Sequence, residues 1–81
     1  MAREEVSEAR LRAILNEKLA ESDRCEDCTF PGPIHRLEEP DENGCNWDRL
    51  PLLSCEGRST YGCAAWALRV VREARKQYNL P

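Results

Sequence analysis

Two amphipathic end segments, a proline-rich middle and five cysteines in 81 residues predict a small zinc-stapled α or α+β domain. In it, an N-terminal and a C-terminal helix flank a cysteine-rich irregular middle. The length allows one domain, residues 1–81, and excludes dinucleotide-binding, TIM-barrel and kinase folds. A chain this short rarely draws more than ~3–5 kcal/mol from its apolar core, so a cross-link is expected to supply the rest.

The first segment, residues 1–21, reads as a helix from residue 3 onward. Leu11, Ile14, Leu15 and Leu19 form one apolar stripe. Glu8 precedes Arg12 by one turn, the favourable order for a helical ion pair. Ala9, Ala13 and Ala20 lie on the other side and would let a second copy approach closely, so a homodimer is one expectation.

The middle, residues 22–58, holds four of the five prolines and three of the four glycines. Thr29-Phe30-Pro31-Gly32-Pro33 cannot be helix interior. Pro40-Asp41-Glu42-Asn43-Gly44 reads as a turn, because proline presets φ and Asn-Gly tolerates positive φ. Short strands are expected on either side of it, at residues 34–37 and 47–53. Trp47, Leu50, Leu52 and Leu53 favour a metal-organised loop over disorder.

The last segment, residues 60–78, reads as the strongest helix, capped by Ser59 or Thr60. Cys63, Ala64, Ala67, Leu68, Val70, Val71, Ala74 and Tyr78 share one broad arc. Arg69, Arg72, Glu73 and Lys76 lie opposite, Trp66 falls on the polar side, and Arg75 intrudes at the apolar edge. The two helices are expected to pack through Leu11, Ile14, Leu15 and Leu19 against Leu68, Val71 and Tyr78.

The start of the sequence is charged, and the longest apolar run is Cys63–Leu68, too short for a membrane span. With no lipidation signal either, the expected compartment is a reducing cytoplasm, without membrane attachment. There, cysteine spacings read as metal sites more often than as disulfides. Cys25-Glu26-Asp27-Cys28 is a C-x2-C pair whose sulfurs can converge on one Zn²⁺. Cys55 and Cys63 are the preferred completion: Gly57 eases the backbone after Cys55, and a helix N-terminus favours a thiolate at Cys63. Cys45 and His35 are the alternates. A redox dithiol and an iron–sulfur cluster are the competing chemistries. The acidic residues between Cys25 and Cys28 disfavour a reactive thiolate, and the compact ferredoxin run is missing. With a single histidine, HExxH and His₃ zinc chemistry are excluded, and no catalytic constellation stands out.

The net charge of −3 conceals a split: residues 1–20 are neutral, 21–57 carry −7 and 58–81 carry +4. Arg69, Arg72 and Lys76, with Trp66 nearby, could contact an acidic protein or nucleic-acid phosphates. The acidic turn Glu38, Glu39, Asp41 and Glu42 could dock on a basic partner. The basic segment could also lie against the acidic middle of its own chain.

Cys25-x2-Cys28, Pro31-Gly32-Pro33-Ile34, Pro40-Asp41, Gly44-Cys45-Asn46-Trp47, Cys55 and Cys63 together resemble the short cysteine-rich accessory proteins of bacteriophages and prophages, over about half the chain. That resemblance implies a treble-clef-like zinc site. It also implies a regulator or inhibitor that binds a host or phage protein. The leading expectation is thus a non-catalytic zinc-binding interaction module with a protein partner. A nucleic-acid-binding regulator using the last helix is the first alternative, and a thiol or iron–sulfur redox protein the second.

Overall fold

The structure, a computed structural model, describes residues 3–49, 51–56 and 60–81, except the side chains of Thr60 and Tyr61. The expected contribution of Leu50 and the cap at Ser59 or the Thr60 side chain lie outside the described residues. Strand β1 (Glu4–Glu5) leads into helix α1 (Glu8–Leu19). A 3₁₀ turn (Asp23–Cys25) follows, then strands β2 (Cys28–Thr29) and β3 (Ser54–Cys55). Helix α2 (Thr60–Gln77) and strand β4 (Tyr78–Asn79) complete the chain. This is a small α+β domain with two helices flanking a cysteine-rich middle.

Helix α1 starts later than the expected residue 3. Ser7 is its N-cap, with the side-chain oxygen accepting from the Arg10 N–H at 3.1 Å. The residues before it pair in parallel with β4, Glu4 opposite Tyr78 and Glu5 opposite Asn79. The two ends of the chain thus close on each other. Leu11, Ile14, Leu15 and Leu19 are all buried, and Leu11, Leu15 and Leu19 share one core cluster with the buried residues of α2. Each buried leucine or isoleucine is worth about 1.5–3 kcal/mol relative to exposure. On α2 the buried stripe is Cys63, Ala67, Val70, Val71 and Ala74. Leu68 is a correction: it stays 37% exposed, because at about 100° per residue it falls on the flank of the stripe that Cys63, Ala67, Val70, Val71 and Ala74 bury. Tyr78 is half-buried and lies beyond the helix, in β4.

Polar side chains of α1 organise the loop that lies over it. Asn16 binds both main-chain groups of Phe30: its Nδ2 donates to the carbonyl at 3.1 Å, and its Oδ1 accepts the N–H at 2.7 Å. Glu8 accepts the Ile34 N–H at 3.0 Å while its other oxygen meets Arg12 at 3.4 Å, the expected helical pair. These bonds supply a proline-rich stretch with partners it cannot find in a sheet.

The turn behaves as its residues demand. Asp41 Oδ1 accepts from the N–H groups of Asn43 and Cys45, and Gly44 takes φ +87°. The flanking strands shrink to one antiparallel bridge between Arg36 and Trp47, supported by Leu37 N–H to the Asn46 carbonyl and Asp48 N–H to the His35 carbonyl. Trp47 is fully buried, whereas Leu52 is 70% exposed.

Asn46 repeats the device of Asn16 at the other end of the domain. Its Nδ2 donates to the Leu80 carbonyl at 2.7 Å and its Oδ1 accepts the Leu80 N–H at 2.8 Å. Asn79 returns the bond, donating from Nδ2 to the Gly44 carbonyl at 3.0 Å. Asn46→Leu strands two main-chain groups of Leu80. At about 1–3 kcal/mol per unsatisfied group, the expected cost is roughly 2–6 kcal/mol. The measurement is a urea titration, with a lower midpoint at unchanged slope.

Candidate functional site

The four cysteines of the C-x2-C pair and its preferred completion converge from four separate elements. Cys25 ends the 3₁₀ turn, Cys28 stands in β2, Cys55 in β3, and Cys63 in the first turn of α2. They are joined as two disulfides, Cys25–Cys63 and Cys28–Cys55. Local structure explains the convergence. The Cys25 N–H bonds the Ser22 carbonyl and the Glu26 N–H the Asp23 carbonyl, so the C-x2-C segment curls tightly. Cys28 and Cys55 are direct cross-strand partners. The Glu56 N–H donates to the Asp27 carbonyl at 3.0 Å, tying the β3 end to the same curl. Cys25, Cys28 and Cys63 are buried and Cys55 is half-buried, although Glu26 and Asp27 face outward. Only the residues between Cys25 and Cys28 are polar and exposed.

The Sγ atoms of Cys28, Cys55 and Cys63 lie within 4.8 Å of one another, and Cys25 is bonded to Cys63. Four thiolates around zinc stand ~2.3 Å from the metal, which puts them about 3.8 Å apart in a tetrahedron. With their bonds reduced, these sulfurs need only small shifts to reach that spacing. Cys28, Cys55 and Cys63 thus form a three-sulfur group that could hold a metal ion, although in this structure all three stand in disulfides. The dithiol expected of a C-x2-C redox motif is not formed, since Cys25 and Cys28 each pair elsewhere. The two alternates lie apart from the cluster. Cys45 is a buried free thiol beside the 41–45 turn, and His35 is exposed, its carbonyl accepting from Asp48.

The surface candidates divide. Trp66 is half-buried, and its Nε1 donates to the Lys18 carbonyl at 3.2 Å, bracing the end of α1 against α2. This corrects its placement on the open polar face: an indole at that edge of the helix covers the core and adds a donor to a helix-end carbonyl that also accepts the Glu21 N–H. Arg69 and Arg72 are exposed, and Lys76 meets Glu73 at 3.5 Å. On the acidic turn, Glu38 and Glu39 are exposed, and Glu42 meets Arg49 at 3.3 Å.

Asp41 is not a surface carboxylate. Its side chain is 5% exposed and pairs with Arg75 at 2.9 Å. Arg75 also donates to the Trp47 carbonyl at 2.9 Å and stacks over the Trp47 ring at 5.7 Å. The internal option for the charge split is thus realised here, by one buried pair. Burial alone would raise the Asp41 pKa. The Cys45 and Asn43 N–H groups and the Arg75 guanidinium outweigh it and hold the pKa below the ordinary carboxylate value of 3.8. A depressed pKa contributes stability that is present above the unfolded value and is lost as pH falls through the folded one. Acid melts of the wild type are expected to fall with pH below about 4, and Asp41→Asn to flatten that part of the profile. An unchanged profile in the variant would assign the acid sensitivity to other carboxylates.

Arg75, Asn16 and Asn46 are structurally decisive, and sequence reasoning missed their roles. The only signal was Arg75 at the apolar edge of its helix. No family model, curated protein or solved structure matches the chain. Fold and site together define a small α+β domain whose cysteine cluster closes the middle on itself and ties it to α2. Among the described residues, no helix is long and apolar enough to cross a membrane.

Proposed function

We propose that the chain is a non-catalytic zinc-binding interaction module of the cytoplasm, a small regulator or inhibitor acting on a protein partner. The observation that supports this reading is the convergence of Cys28, Cys55 and Cys63 within reach of one ion, with Cys25 bonded to Cys63 beside them. In a reducing compartment those sulfurs would be thiols, which lose their protons on binding zinc, and an ion held by them would replace the two disulfides as the staple. The treble-clef-like arrangement and the phage-protein resemblance belong to this proposal. So does the protein-binding role of the basic face of α2.

Protein purified under reducing conditions is expected to be colourless and to carry about one zinc per chain. The metal is expected to disappear in Cys28→Ser/Cys55→Ser, and tagged protein is expected to retain a specific partner from its source cell. A coloured, iron-containing sample would favour the redox alternative. Metal-free reduced protein that keeps its fold would remove the zinc reading. Salt-sensitive retention of nucleic acid in place of a protein would favour the nucleic-acid alternative.

A further inference from the structure

We propose that the cleft between α2 and the 41–45 turn docks a short acidic segment of the partner, one that sets carboxylates beside an apolar side chain. This rests on the reading of the chain as an interaction module and names the chemistry its surface would take. The cleft measures about 750 Å³, within the range of natural ligand clefts. Arg69, Arg72 and Lys76 line one wall, spaced so that they form a single stripe along the helix. Arg3 lines the other wall. Its Nε donates to the Arg75 carbonyl at 2.8 Å, and its Nη1 lies 3.0 Å from where a Cβ on Gly44 would stand. Arg3 is therefore aimed by main chain, not by a carboxylate.

The charges in the cleft are unequally matched. Arg75 is neutralised by Asp41, and Lys76 meets Glu73. Arg3, Arg69 and Arg72 have no carboxylate partner among the described residues. Three guanidiniums thus face a cleft to which Leu68, 37% exposed, adds apolar surface. Guanidinium forks bind carboxylates bidentately. An acidic peptide with an apolar anchor satisfies both features. A long polyanion does not fit as well: it would extend beyond the cleft past Glu42 on the turn and Glu38 and Glu39 just before it, which repel it, whereas a short acidic segment meets only the cleft lining.

The test is fluorescence anisotropy with a labelled short peptide of alternating Glu and Leu. An otherwise identical Gln and Leu peptide serves as control. Saturable binding is expected, weaker at high salt and about tenfold or more weaker in Arg69→Glu/Arg72→Glu. Both arginines are exposed, so the fold is expected to survive, as checked by melting, and Arg69→Gln/Arg72→Gln provides a milder second variant. Equal binding by wild type and both variants, equal binding of the Gln peptide, or tighter binding of a DNA duplex would each overturn the proposal. If a partner from the source cell is captured equally by wild type and the charge-reversed variant, the interaction-module reading stands and the cleft assignment falls.

Discussion

Reduction with a phosphine in the presence of a strong chelator is expected to unfold most of the domain. The Cys25–Cys63 bond spans 38 residues and Cys28–Cys55 spans 27. In the chain-entropy description each bond destabilises the unfolded state by roughly 3–4 kcal/mol. The second loop lies inside the first, so the two contributions do not add in full. Even one of them matches the ~3–5 kcal/mol that a core of this size supplies. The phosphine cuts the bonds, and the chelator removes any ion that could replace them. Adding zinc to the reduced, chelator-free sample is expected to restore the helical circular dichroism, since a structural zinc site contributes an apparent ~10–16 kcal/mol in small metal-binding peptides. A cooperative melt that stays within about 5 °C of the oxidised protein after both treatments would show that the core stands without its staple. Recovery with an oxidant but not with zinc would leave the disulfides as the only staple and remove the metal from the proposed function.

Trp47→Ala is expected to be the most damaging single substitution outside the cysteines. Trp47 has no exposed surface and joins the turn to the end of the chain, its Nε1 donating to the Tyr78 carbonyl at 2.9 Å. It also receives the Arg75 guanidinium, on its carbonyl and over its ring. Replacing a buried tryptophan with alanine costs about 3–5 kcal/mol. At ~4–8 °C per kcal/mol for a domain of this size, that lowers the melting temperature by tens of degrees. Trp47→Phe keeps most of the volume and strands only the Tyr78 carbonyl, so its cost is expected near 1–3 kcal/mol. Equal losses in the two variants would make the hydrogen bond, not the packing, the decisive contribution.

Both expectations turn on the middle of the chain, where reading by pattern was weakest. The stripes on α1 and α2 were legible because a helix repeats its buried positions every three or four residues. The Asn43-Gly44 turn was legible because its backbone requirement falls on two adjacent residues. The β1–β4 pair was not, since two residues on each side carry no periodic signal and their pairing spans nearly the whole chain. Nor were the amide clamps of Asn16 and Asn46, whose partners lie 14 and 34 residues away. Local polarity along the sequence marks Trp66 and Asp41 as surface residues. Their burial depends on what α1 and α2 bring beside them.

By itself, the sequence determined two helical faces, a turn and a cysteine complement able to cross-link a small core. Each of these rests on neighbours within a turn or two of helix, or on residue chemistry alone. The tertiary structure decided which sulfurs meet, which charged groups leave the surface and which polar side chains complete the backbone of the irregular middle. Those outcomes depend on contacts between residues distant in the chain, and such contacts exist only once the helices have closed the domain around them.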